Sequence, residues 1–240
     1  MAKNKDNTTF PCWINTEDFQ VQYLYTKFVE VFYKYVNNTE VIDKLYKDVY
    51  DKYNGRGRHY HNMTHIYRMV RNWSRLKKKL KNSDAVFMAI IYHDIVYKPR
   101  KSDNEEKSAE YFEKIAEAHL KKHLVAGVYY TLVDDVKCAI VATKHNATSV
   151  IYWKDNSDIQ YLLDFDLEIL SASNANDYEW YRSGVRKEYR IYPNILYKPG
   201  RKKVLESFLT REKIYLTKDF EERENTARKN LKKEINSYLC

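Results

Sequence analysis

Glycine and proline are scarce in this chain, 5 and 4 in 240 residues, which argues against a turn-dense β architecture and for long helices. Cysteine is scarcer still. Cys12, Cys138 and Cys240 lie far apart and form no CxxC pair, which excludes a disulfide scaffold and thiolate-bound zinc and implies a reducing interior. No uninterrupted apolar run is long enough to cross a bilayer. The opening residues, Met1-Ala2-Lys3-Asn4-Lys5-Asp6, lack the apolar stretch of a secretory signal, so a soluble cytoplasmic protein with no membrane partner is expected. Internal repeats and low-complexity linkers are also absent, and one domain is the simplest organisation.

Apolar residues make up 44% of the chain, enough for a substantial core, and 23 tyrosines give that core polar-tipped aromatic margins. The net charge of +9 favours anionic partners such as nucleotides or nucleic acid and says nothing about fold.

Hydrophobic periodicity divides the chain into helices. Phe19, Tyr23, Phe28, Val31, Phe32 and Val36 recur at helical intervals within 16–36, and a second helix spans 39–53. Asn54-Gly55-Arg56-Gly57-Arg58 breaks it with a basic, backbone-permissive loop. An amphipathic helix follows, with Ile66, Met69, Val70, Trp73, Leu76 and Leu80 as its stripe and Asn62 or Thr64 as its cap. Ser83 is expected to cap the next helix. Asp103-Asn104-Glu105-Glu106 then opens another, with acids where a helix N-terminus favours them, running to about His123. Further helices are expected at 133–144, 157–170 and 175–192, with Gly200 separating the last from 203–209, and a charged helix at 219–238. The expected architecture is all-α, with a loose lead-in at 1–15, a core over about 16–215 and a C-terminal helical extension at 216–240.

The stretch from Val86 to Tyr97 is apolar on every side except for the adjacent pair His93-Asp94. Such a segment belongs in the middle of a domain, where an ionised carboxylate needs a partner. A metal ion satisfies imidazole and carboxylate together. His65 falls in the first turn of its helix beside the apolar stripe. In the helix at 157–170, Asp166 shares a face with Ile159, Leu162, Leu163 and Leu170, whereas Asp164 lies with Gln160, Glu168 and Ser171, so Asp166 is expected to be the buried carboxylate. Three helices then offer His65, His93-Asp94 and Asp166 at the edges of apolar faces, the way bundle-core metal sites are built.

The order His, His-Asp, Asp on successive helices resembles the HD superfamily of metal-dependent phosphohydrolases. The likeness extends to Arg58-His59-Tyr60-His61-Asn62-Met63-Thr64-His65-Ile66, to His93-Asp94-Ile95-Val96-Tyr97 and to Asp103-Asn104-Glu105-Glu106-Lys107-Ser108-Ala109. It continues in Leu162-Leu163-Asp164-Phe165-Asp166-Leu167, Val185-Arg186-Lys187-Glu188-Tyr189 and Gly200-Arg201, stretches similar to a bacterial and phage branch of predicted HD phosphohydrolases. The first 50 or so residues carry no such motif.

The resemblance implies an HD-type helical bundle with His65, His93, Asp94 and Asp166 as metal ligands. Two imidazoles and two carboxylates leave open positions that suit Mn²⁺, Fe²⁺, Co²⁺ or Mg²⁺ better than a closed tetrahedral zinc. It also implies a water, activated by the metal with Asp94 at the reacting centre, that attacks a phosphate ester or anhydride of a nucleotide or small phosphorylated metabolite. Asp103, Glu105 and Glu106 are candidates for orienting that water, or else are first-turn acids. His61, His145 and Asp164 are possible extra ligands or supports for the ligands. Arg58, Arg186 and Arg201 are candidate phosphate contacts, with Arg186 equally able to pair with Glu188 or a distant acid. The alternatives are a nucleic-acid-binding module, motivated by the basic charge, and a nucleotide-sensing module without turnover.

Overall fold

The computed structural model describes residues 10–15, 17–144 and 155–238. Among them are ten α-helices and no strand: α1 (Phe19–Phe32), α2 (Thr39–Tyr53), α3 (Met63–Leu76), α4 (Ser83–Tyr92), α5 (Asn104–His119), α6 (Ala126–Ala142), α7 (Ser157–Asp166), α8 (Ala175–Glu188), α9 (Asn194–Leu209) and α10 (Glu224–Asn236). The protein is all-α. No described helix is long and apolar enough to cross a membrane.

The hub is α4. Every side chain from Ala85 to Tyr92 is buried, because α3, α5, α6 and α7 pack around it. Asn82, not Ser83, caps this helix, its side chain accepting from Ala85 N. Asp158, at the start of α7, accepts from the backbone N–H groups of Lys81 and Asn82 at 2.9 and 2.7 Å. At the other end of α7, Asp164 accepts from Leu216 N, Thr217 N and the Thr217 hydroxyl at 2.6–2.8 Å. Two inward carboxylates therefore pin α7 between the start of α4 and the 216–217 segment, which fixes where its last residue points.

Several boundaries differ from the periodic reading; α5, for example, ends at His119 and not about His123, and α8 ends at Glu188 and not at 192. The α3 helix stops at Leu76, and Lys77–Lys79 tighten into a 3₁₀ turn. The α6 helix starts at Ala126 rather than 133, because exposed Val125, Val128 and Tyr130 blur the stripe that Tyr129, Leu132, Val133 and Val136 bury. Gly200 does not interrupt α9, which runs through both Pro199 and Gly200. Proline at the sixth helical position removes an N–H that would bond the Ile195 carbonyl, and Ile195 is exposed enough for water to take that carbonyl instead. Tyr197, Arg201, Leu205 and Phe208 recur at helical spacing on one buried face and hold the helix down.

The C-terminal helix α10 is packed rather than appended. It buries Ala227, Leu231 and Ile235 against α9 and the 3₁₀ turn Leu167–Ser171 that follows α7. Buried apolar side chains from Phe10 to Ile235 form one contiguous core.

Candidate metal centre

Each ligand candidate is placed by a local device. Asn62 caps α3, accepting from Thr64 N and His65 N, and this puts His65 in the first turn with its ring buried. His93 is the residue that ends α4, its N–H still bonded to Ala89 O, and Asp94 lies just past it. Asp166 closes α7. Its side chain keeps 15% exposure, whereas Asp164 is fully buried, the reverse of the expected ranking. Residues two apart on a helix point about 200° apart, so Asp164 faces its three donors from the 216–217 segment and is not beside the cluster. This overturns its reading as an extra ligand.

The side chains from three segments converge. His65 Nε2 lies 3.3 Å from His93 Nε2 and 3.2 Å from Asp166 Oδ1, and His93 Nε2 lies 3.8 Å from the same oxygen. Asp94 joins through His93, with its Oδ2 3.1 Å from Nε2. His65, His93 and Asp166 thus form a buried cluster able to hold a metal ion, with donor atoms within 4.8 Å of one another. Donors about 2.0–2.2 Å from one ion stand roughly 3–3.5 Å apart, close to these spacings.

The protonation pattern also fits a cation. The Ile90 carbonyl, 2.9 Å from His93 Nδ1, can only accept, so Nδ1 carries a proton and Nε2 is the nitrogen left to take either a second proton or a cation. Two imidazole nitrogens and two carboxylate oxygens facing one another need a proton or a cation among them. Burial opposes a charge on His93, but Asp94 and Asp166 outweigh it and raise its pKa to about 9. Burial dominates at His65 and lowers its pKa. For Asp94, burial works upward, yet His93 and His61 hold the carboxyl well below the usual range.

His61 reaches the same space from the loop before α3, its Nε2 3.9 Å from Asp94 Oδ2. It is aimed by Glu188, which the sequence offers as a partner for Arg186 and not as part of the site. One oxygen of Glu188 accepts from three successive backbone N–H groups, His59, Tyr60 and His61, at 2.8–2.9 Å. Its other oxygen takes His61 Nδ1 at 2.7 Å and the Tyr97 hydroxyl at 3.2 Å. Burial pushes the Glu188 carboxyl up, but His61 and these donors bring it down to about 2. Gly184, one turn earlier, permits this approach: a Cβ there would stand 3.0 Å from the His59 carbonyl and from Tyr60 Cβ. The signal was available, since Glu188 shares the buried face of Tyr181, Gly184 and Val185 on α8.

A cavity of about 550 Å³ opens from the cluster, lined at this end by His61, His93, Asp94, Tyr97, Glu105 and Asp166. Of the three acids after the His-Asp pair, Glu105 alone reaches it. Burial, with the charge of Asp94 adding, raises its pKa. Asp103 pairs with Lys107 at 2.7 Å and Glu106 with Lys144 at 2.5 Å.

The three arginines are all engaged within the fold. Arg58 donates to the carbonyls of His61 and Ile95, holding the loops on either side of the cluster. Arg186 donates to the carbonyls of Tyr189 and Tyr192 and to Asn194 Oδ1, closing the end of α8 and not pairing with Glu188. Arg201 lines the cavity but is buried against Glu234 at 2.9 Å and the Tyr181 hydroxyl at 2.7 Å. His145 lies outside the described residues. Set against protein-family models, curated proteins and solved structures, the chain matches none.

Proposed function

We propose that this protein is a metal-dependent phosphohydrolase of the HD type, acting in the cytoplasm on a phosphate ester or anhydride of a nucleotide or other small phosphorylated metabolite. One observation carries the reading: His65, His93, Asp94 and Asp166 come from three separate segments and converge in one cluster, of which His93, Asp94 and Asp166 line a cavity. An octahedral ion such as Mn²⁺, Fe²⁺, Co²⁺ or Mg²⁺ held by these four would supply Lewis acidity and a more acidic bound water.

The chain's own groups have definable tasks. The Ile90 carbonyl fixes the His93 tautomer so that Nε2 faces the cluster. Glu105, kept basic enough by burial, is the carboxylate able to take a proton from the attacking water. Glu188, which also accepts from the Tyr97 hydroxyl, holds His61 with Nε2 towards Asp94, where it would meet a bound phosphoryl group. No protein nucleophile is required, and positioning with charge neutralisation does most of the work.

The test is a panel of nucleotides and simple phosphate esters incubated with and without added Mn²⁺, reading phosphate release. Wild-type protein is expected to release phosphate only with metal. His93→Ala and Asp94→Ala are expected to lose turnover and bound metal while keeping their helical content. Full turnover in either variant contradicts the proposal, and tight nucleotide binding without any turnover favours the sensing reading instead.

A further inference from the structure

We infer that the cavity accepts a monophosphorylated molecule whose remaining part is a flat or apolar group, and that it discriminates against polyphosphates. This rests on the phosphohydrolase reading for the direction in which the phosphate points, and adds the class of molecule that carries it.

Charge is the first reason. Among the described residues lining the cavity, two side chains carry a fixed positive charge, Lys144 and Arg201. The ammonium of Lys144 lies 2.5 Å from Glu106, and the guanidinium of Arg201 is held by Glu234 and by the Tyr181 hydroxyl. Both charges already have partners. Glu105, Asp94 and Asp166 line the same space. The carboxylates of Asp94 and Asp166 would themselves offset a divalent ion in the cluster, so a phosphoryl group would be held by bonding to that ion and not by surplus positive charge. A nucleoside triphosphate carries about four negative charges at neutral pH, and the surplus would face carboxylates in a partly enclosed site.

The wall is the second reason. Its apolar part is built from Leu167, Ile169 and Leu170 of the 3₁₀ turn after α7, Val185 of α8, and Leu196 and Phe208 of α9. Tyr189 and Tyr192 add near-parallel rings, with centroids 6.2 Å apart and planes 29° from each other. A space of about 550 Å³ far exceeds one phosphoryl group and sits within the usual range for small-molecule pockets. Leu196 and Val204 line it yet stay 61% and 46% exposed, so an apolar ligand would cover surface that the fold leaves to water.

Phosphonates separate this inference from the chemistry, because they contain no ester to cleave. Calorimetry of the Mn²⁺-loaded protein is expected to show phenylphosphonate binding about 10- to 50-fold more tightly than methylphosphonate, the yield of burying one ring face. The double variant Leu196→Ala/Val204→Ala alters two exposed positions and so should fold. It is expected to narrow that gap several-fold while leaving methylphosphonate binding unchanged. With free Mn²⁺ held constant, adenosine 5′-monophosphate should displace phenylphosphonate at lower concentration than adenosine 5′-triphosphate. Equal binding of the two phosphonates, or stronger displacement by the triphosphate, overturns the inference, and does so even if phosphate esters are turned over. The expected preferences without turnover of any ester would support this use of the cavity and count against the hydrolase reading.

Discussion

At the scale of single residues, Glu105 and Asp103 make a controlled comparison. They are two positions apart, both follow the His-Asp pair, and one lines the cavity while the other pairs with Lys107 at the surface. Glu105→Gln should lower kcat about 100-fold with metal content unchanged, whereas Asp103→Asn should stay within about 3-fold, as steady-state kinetics with metal analysis will show. Glu188 gives a prediction in pH. Its folded pKa of about 2 lies below the unfolded value of about 4.3, so its contribution is complete above about pH 4.3 and is lost as pH falls towards 2. The size is on the order of 3 kcal/mol at most. Glu188→Gln should be less stable than wild type at pH 7 and nearly equal to it at pH 2, by denaturant unfolding at each pH. What the sequence revealed at this scale depended on where polarity met an apolar face. His93-Asp94 stood out because everything around the pair was greasy. Asp164 was misread because its partners are backbone N–H groups 52 and 53 residues away, which no helical wheel displays.

At the scale of elements, α7 and α9 are positioned by carboxylates rather than by apolar packing alone. Asp158 and Asp164 clamp the two ends of α7, and Glu234 on α10 clamps α9 through Arg201. The Arg201–Glu234 pair is buried, with Tyr178 and Tyr238 hydroxyls completing the Glu234 oxygens. Removing one partner leaves a buried charge uncompensated. Arg201→Met should therefore cost about 3–5 kcal/mol, and Arg201→Met/Glu234→Leu should recover most of that loss in thermal unfolding. Equal stability of the single and double variants would contradict this latch. The all-helical class and most elements were legible from the spacing of apolar residues. The start of α6 and the continuity of α9 were not. Exposed valines obscured the first, and Gly200, read as a break, lies inside α9 together with Pro199, whose missing N–H is tolerable beside the exposed Ile195.

At the scale of the molecule, one apolar core runs from Phe10 to Ile235 among the described residues. Chelation should lower the melting temperature by roughly 5–10 °C, from a binding contribution of about 2.7 kcal/mol at a hundredfold excess over Kd, without loss of helical signal. Collapse of the helices on chelation would make the metal structural instead. Among the described residues the basic surplus does not gather at the cavity, where Lys144 and Arg201 are matched by acids. The measurement that bears most directly on the whole account is metal content by elemental analysis of the purified wild type, Asp164→Asn and Asp166→Asn. The account predicts close to one divalent ion per chain in the first two and a small fraction of that in Asp166→Asn. Wild type without metal after purification in its presence, or Asp166→Asn as fully loaded as wild type, would contradict it.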